Sequence, residues 1–91
     1  MGVGFNTDVK HDGVVYHVQT EPRKDGSLET LVYKKGAIVH KSTSSYEEQR
    51  QSPDFNDDKL RGIVEDQHRK VIEGIRAGQI APPPAQPGGS G

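Results

Sequence analysis

Val14-Val15-Tyr16-His17-Val18-Gln19-Thr20-Glu21 is the longest run of β-branched and aromatic residues in the chain, the types that suit a pleated, half-buried surface. Asp12-Gly13 precedes it, a favoured pair for a two-residue hairpin turn in which both central residues take positive φ. Before that turn, Phe5-Asn6-Thr7-Asp8-Val9-Lys10-His11 alternates apolar and polar positions, the period of a strand with one buried face. A two-residue turn then dictates the pairing. His11 falls opposite Val14, Val9 opposite Tyr16, Thr7 opposite Val18 and Phe5 opposite Thr20, all on one face. Lys10 with Val15, Asp8 with His17, and Asn6 with Gln19 occupy the other. A slip of one residue would turn every side chain over, so agreement between turn and pattern specifies the register. Val14, Tyr16 and Val18 are expected in the core, with His17, Gln19 and Glu21 on the polar face.

Beyond Glu21, Pro22-Arg23-Lys24-Asp25-Gly26-Ser27 reads as a loop, because proline ends a ladder and Asp-Gly bends the chain. Leu28 to Tyr33 reads as a third strand. Lys34-Lys35-Gly36 suits a three-residue hairpin with Gly36 left-handed, leading to a fourth strand from Ala37 to about Lys41. That register sets Val32 opposite Ile38 and Leu31 opposite Val39; a two-residue loop shifts the pairing by one. Both versions leave apolar residues on both faces of the second hairpin, more than one helix would cover. Ser42-Thr43-Ser44-Ser45 breaks the strand pattern, and Tyr46 to Gln51 reads as a short serine-capped helical turn. Ser52-Pro53-Asp54 marks the start of a long helix, with serine as cap and proline in the first turn. Leu60, Ile63, Val64, Val71, Ile72 and Ile75 form its apolar stripe. Asp57–Arg61, Glu65–Arg69 and Asp66–Lys70 have the acid-before-base spacing that supports an outward face, and Gly78 closes the helix. Gly62 and Gly74 weaken the helix; they either permit close packing or are tolerated. The expected fold is α+β: a four-stranded antiparallel β-meander with one long C-terminal helix packed on one face.

Ninety-one residues allow one small domain. Hydrophobic residues make up 30% of the chain and cysteine is absent, so neither disulfides nor thiolate chemistry is available. Twelve basic residues against thirteen acidic ones give a net charge of −1, without the positive footprint of a nucleic-acid binder. No run is apolar enough to cross a membrane, and no signal peptide opens the chain, so the expected setting is cytoplasmic. Residues 1–80 are read as the folded module. Residues 81–91, Ala-Pro-Pro-Pro-Ala-Gln-Pro-Gly-Gly-Ser-Gly, read as a proline-rich linker ending in a truncated or engineered tail.

Among constellations that carry chemistry, Asp8 opposite His17 comes first. A carboxylate across the ladder favours an imidazolium and a pH-sensitive contact, set against the plainer reading of an exposed pair on a solvated face. Gln67-His68 comes second, because both lie within the apolar stripe and buried polar groups need partners; a helix-to-sheet polar contact that fixes register is the reading preferred. A metal site from His11, His17, His40 and His68 lacks the close ligand spacing of structural sites. Gly2-Val3-Gly4 lacks the lysine and the preceding strand of a phosphate loop. Ser42, Ser44 and Ser45 have no nucleophile elbow around them. Arg23-Lys24 and Lys34-Lys35 read as solvated loop charge.

Tyr16-His17-Val18-Gln19-Thr20-Glu21, with Leu31-Val32-Tyr33, Gly36, Tyr46 and Gln67-His68, resembles a group of small, uncharacterised bacterial domains over about residues 5 to 78. The resemblance implies a module of larger multidomain proteins and carries no activity with it. Pro22-Arg23 departs from the acidic residue and glycine expected there. The function expected is a non-catalytic protein–protein interaction module, without cofactor, metal, nucleic acid or membrane as ligand. It would bind through a sheet edge or open sheet face, or associate with itself. His17, Gln19, Glu21, Leu31, Tyr33 and His40 are the candidate contacts. The alternative is a small-ligand or enzymatic domain using His17, His40 and His68 in a helix–sheet cleft.

Overall fold

The computed structural model describes residues 3–80, so the expected linker at 81–91 lies outside the described residues. Four antiparallel strands follow one another in space as in sequence: β1 (Phe5–His11), β2 (Val14–Pro22), β3 (Ser27–Lys34) and β4 (Ala37–Ser45). A short helix α1 (Glu47–Arg50) and the long helix α2 (Asp57–Arg76) complete the α+β fold, with α2 lying over β1, β2 and β3 on one face of the sheet.

The first hairpin has the register dictated by its turn. Asp12 and Gly13 take φ of 51° and 78°, and every pair from His11–Val14 to Phe5–Thr20 forms as the alternation requires. Tyr16 and Val18 are buried and Val14 packs against them, while His17 and Glu21 are exposed on the other face.

The second hairpin takes the two-residue frame, one of the two its sequence allows, and adds a bulge. Lys35 and Gly36 form a two-residue turn of the same kind, with φ of 52° and 83°, pairing Lys34 with Ala37 and Tyr33 with Ile38. A bulge at Val39 then shifts the ladder, so that Val32 faces His40 and Leu31 faces Lys41. The extra residue turns Val39 toward the core, where it packs against the cluster of Val9, Tyr16, Val18, Val32, Val71 and Ile75. Ser42 to Ser45 do not break the strand. They pair with Thr30, Glu29, Leu28 and Ser27, because the backbone ladder outweighs the weak strand preference of serine.

Helix α2 begins later than Ser52-Pro53 suggests. Ser52 to Phe55 form a turn, with Phe55 N–H donating to Ser52 O at 3.0 Å, and proline suits the second position of such a turn. The cap is Asn56, whose side chain accepts from Lys59 N–H at 2.9 Å. Phe55 and Leu60 flank this cap at the spacing of a hydrophobic staple, and both pack on a second cluster of Leu28, Tyr46 and Val64. The end of α2 follows the glycine rule. Gly78 takes φ of 75° and donates to Ile75 O, while Gln79 donates to Gly74 O, the paired bonds of a Schellman motif. Ile80 folds back against Gly74, so tightly that a Cβ there would lie 2.8 Å from its Cδ1; Gly62 faces open space. Asp66 pairs with Lys70 at 3.2 Å, and Arg69 reaches Asp66 rather than Glu65. Among the described residues no helix is long and apolar enough to cross a membrane.

Candidate functional site

Between the two apolar clusters runs a continuous chain of side-chain hydrogen bonds. Ser44 of β4 donates to Gln67 Oε1. Gln67 Nε2 lies 2.9 Å from Thr30 Oγ1 and 3.5 Å from Leu28 O. Thr30 Oγ1 is 2.8 Å from Thr20 Oγ1, which is 2.8 Å from His68 Nδ1, and His68 Nε2 is 2.8 Å from Thr7 Oγ1. Helix α2 is thereby bonded to all four strands.

One direction of the hydrogens in this chain gives every hydroxyl proton between Gln67 and His68 an acceptor. Leu28 O can only accept, which assigns the donor end of the Gln67 amide to it and to Thr30. Gln67 Nε2 has no lone pair to offer Thr30, so the Thr30 proton has Thr20 Oγ1 as its acceptor, and the Thr20 proton in turn has Nδ1 of His68. The imidazole proton is left on Nε2, donating to Thr7. Burial lowers the His68 pKa, which favours this neutral ring, and only 4% of its surface is exposed. No buried polar side-chain atom among the described residues lacks a partner. Gln67 and His68 both join α2 to the sheet by side-chain hydrogen bonds. The threonines were missed, although Thr7 and Thr20 fall on the apolar face of the expected register.

The other side of the sheet is not covered by any of the described residues. His17, Gln19 and Glu21 of β2 share it with Leu31 and Tyr33 of β3, as their pairing positions require. Leu31 and Tyr33 are half-buried, whereas Val15 is 46% and Ile38 56% exposed. Polar pairs frame this apolar patch. His17 Nδ1 is 2.6 Å from Asp8 Oδ1, Gln19 donates to Glu21 at 3.2 Å, and Glu29 lies between Arg23 at 3.2 Å and Lys41 at 3.5 Å.

His40 does not join that face. It lies opposite the buried Val32, on the helix side of β4, and lines a groove of about 480 Å³ between β4 and α2. The bulge at Val39 is what carries it there. His17, His40 and His68 therefore occupy three separate environments: open face, groove and core. His11 stands apart beside Asp12 at 3.4 Å. No three His, Asp or Glu side chains among the described residues gather as metal ligands would.

The sequence gives Tyr46 no role beyond the resemblance, yet it is buried. Its hydroxyl donates to Arg23 O at 3.0 Å and its amide to Gly26 O at 2.9 Å, while Arg50 donates to Lys24 O at 3.0 Å. Helix α1 therefore fixes the β2–β3 loop at one end of the open face. No family model, curated protein or solved structure matches the chain.

Proposed function

We propose that the chain is a non-catalytic protein-interaction module that presents the open face of its sheet to a protein partner. The observation that supports this is the one-sided cover: α2 lies on one face, and the other gathers Val15, Leu31, Tyr33 and Ile38 inside a rim of polar pairs. An apolar centre with a polar rim is the usual anatomy of a protein interface. Tyr33 is the expected anchor, since tyrosine offers a large contact area at small entropic cost. His17, Gln19 and Glu21 would supply directional contacts around it. The proposal takes in a cytoplasmic setting and attachment, through residues 81–91, to a larger bacterial protein.

The test is photo-crosslinking in cells of the source organism. A benzophenone side chain replaces Tyr33 on the open face or Arg61 on the exposed side of α2. Position 33 should give a discrete adduct that position 61 does not. The reading is lost if position 33 gives no adduct, or if both positions give the same ones.

A further inference from the structure

We infer that β4 accepts an extended segment of a partner protein as a fifth strand. This rests on the interaction-module reading and narrows it to one edge and one mode of contact.

The sheet has two edges, β1 and β4. Exposed edges are normally blunted by charge, proline, bulges or a covering element. Strand β4 spans nine residues without proline, and its one charged residue, Lys41, is drawn 3.5 Å from Glu29 of its own sheet. Its bulge lies at the hairpin end, leaving Lys41 to Ser45 in regular register with β3. Helix α2 lies over β1 to β3, and among the described residues no strand pairs with the outer side of β4. The shorter edge β1 carries both Asp8 and Lys10.

Both flanks of β4 offer side-chain contacts as well. On the helix side, the groove has Ser42 and Ser44 on one wall and an apolar floor that includes Leu28, Val71 and Ile80. On the open side stands Ile38, 56% exposed. Successive side chains of a strand point to opposite faces, so a strand laid along β4 faces the groove with alternate residues and, with the others, the open side, where Thr43 and Lys41 lead to Ile38 at the hairpin end. Its backbone meanwhile pairs with the free edge. A helix laid in the groove would leave both that edge and Ile38 uncovered. A second copy of β4 fits poorly, because its groove-side residues are His40, Ser42 and Ser44, which do not fill an apolar floor. The occupant is therefore a foreign segment with apolar residues at alternate positions. It is uncharged beside the groove, where Asp66 and Lys70 already pair.

The test uses the full chain to select displayed random peptides, followed by hydrogen exchange with and without a selected peptide. Selected peptides should share the apolar alternation and slow exchange at amides within Lys41–Ser45. Ser42→Lys and Ile38→Lys, on opposite flanks of β4, should each weaken binding at least tenfold. Failure to select any peptide, protection on β1 instead, or unchanged affinity in both variants overturns the inference. A concentration-dependent dimer that protects β4 assigns the edge to a second copy and overturns it equally. A crosslink from position 33 without protection of β4 removes the fifth strand and leaves the interaction module standing. Absence of both removes the two together.

Discussion

His68 connects the two halves of the fold because its ring has two nitrogens and the sheet offers a hydroxyl to each. The directed chain needs the neutral ring with its proton on Nε2: an imidazolium would donate from Nδ1 as well, toward a Thr20 hydroxyl whose proton already points back. The sign of the pH effect follows. The folded-state pKa is lowered by burial from the ordinary value of 6.5, so below that pH the unfolded chain binds more protons than the folded one. The His68 contribution is fully present above pH 6.5 and is lost as pH falls from there through the folded pKa. Urea unfolding from pH 8 to 5 should show this loss, and His68→Gln should remove that part of the slope; an identical slope in the variant would disprove the assignment. At neutral pH, His68→Ala should cost about 1–3 kcal/mol by stranding a buried hydroxyl. The nitrogen shifts of the ring, read by NMR, should show the Nε2–H tautomer.

The first hairpin was legible in full at the level of elements because Asp12-Gly13 and the alternation of Val9, Tyr16 and Val18 demand the same register. The second was not, because Lys34-Lys35-Gly36 admits two frames and the bulge depends on the core, which draws in Val39. Local chemistry also misplaced the helix start. Ser52-Pro53 is a sound signal, but Asn56 stands directly before the apolar stripe and between Phe55 and Leu60. Gln67 and His68 were legible from polarity within a stripe. Their partners Thr7, Thr20 and Thr30 were harder to see, since threonine suits either face of a strand. The glycines separate cleanly. At Gly62, in open space, alanine should stabilise α2 by about 0.5–1 kcal/mol, seen as a raised urea midpoint. At Gly26, with φ of 89°, a Cβ would lie 2.0 Å from Glu47 Oε1. Gly26→Ala should therefore destabilise by at least about 1–2 kcal/mol from backbone strain alone. Adding Glu47→Ala should recover the steric part and leave the strain; full recovery would show that the backbone conformation costs nothing.

Among the described residues the molecule is asymmetric: one face of the sheet is joined to α2 by two apolar clusters and a hydrogen-bond chain, and the other carries apolar side chains with nothing over them. Stability and binding should therefore respond to different residues. Val64 and Ile75 are fully buried, and alanine at either position opens a cavity as well as losing transfer energy. Val15 and Ile38 are about half exposed and have little to lose on the folded side. Val15→Thr with Ile38→Thr should leave the unfolding free energy within about 0.5 kcal/mol per substitution, the range of surface changes. Threonine keeps the β-branch that suits a strand while replacing a methyl or longer group with a hydroxyl on the two sides of Tyr33. The same pair should suppress the adduct formed from position 33. A large loss of stability would make the patch part of the fold rather than a contact surface, and an unchanged adduct would move the interface away from it.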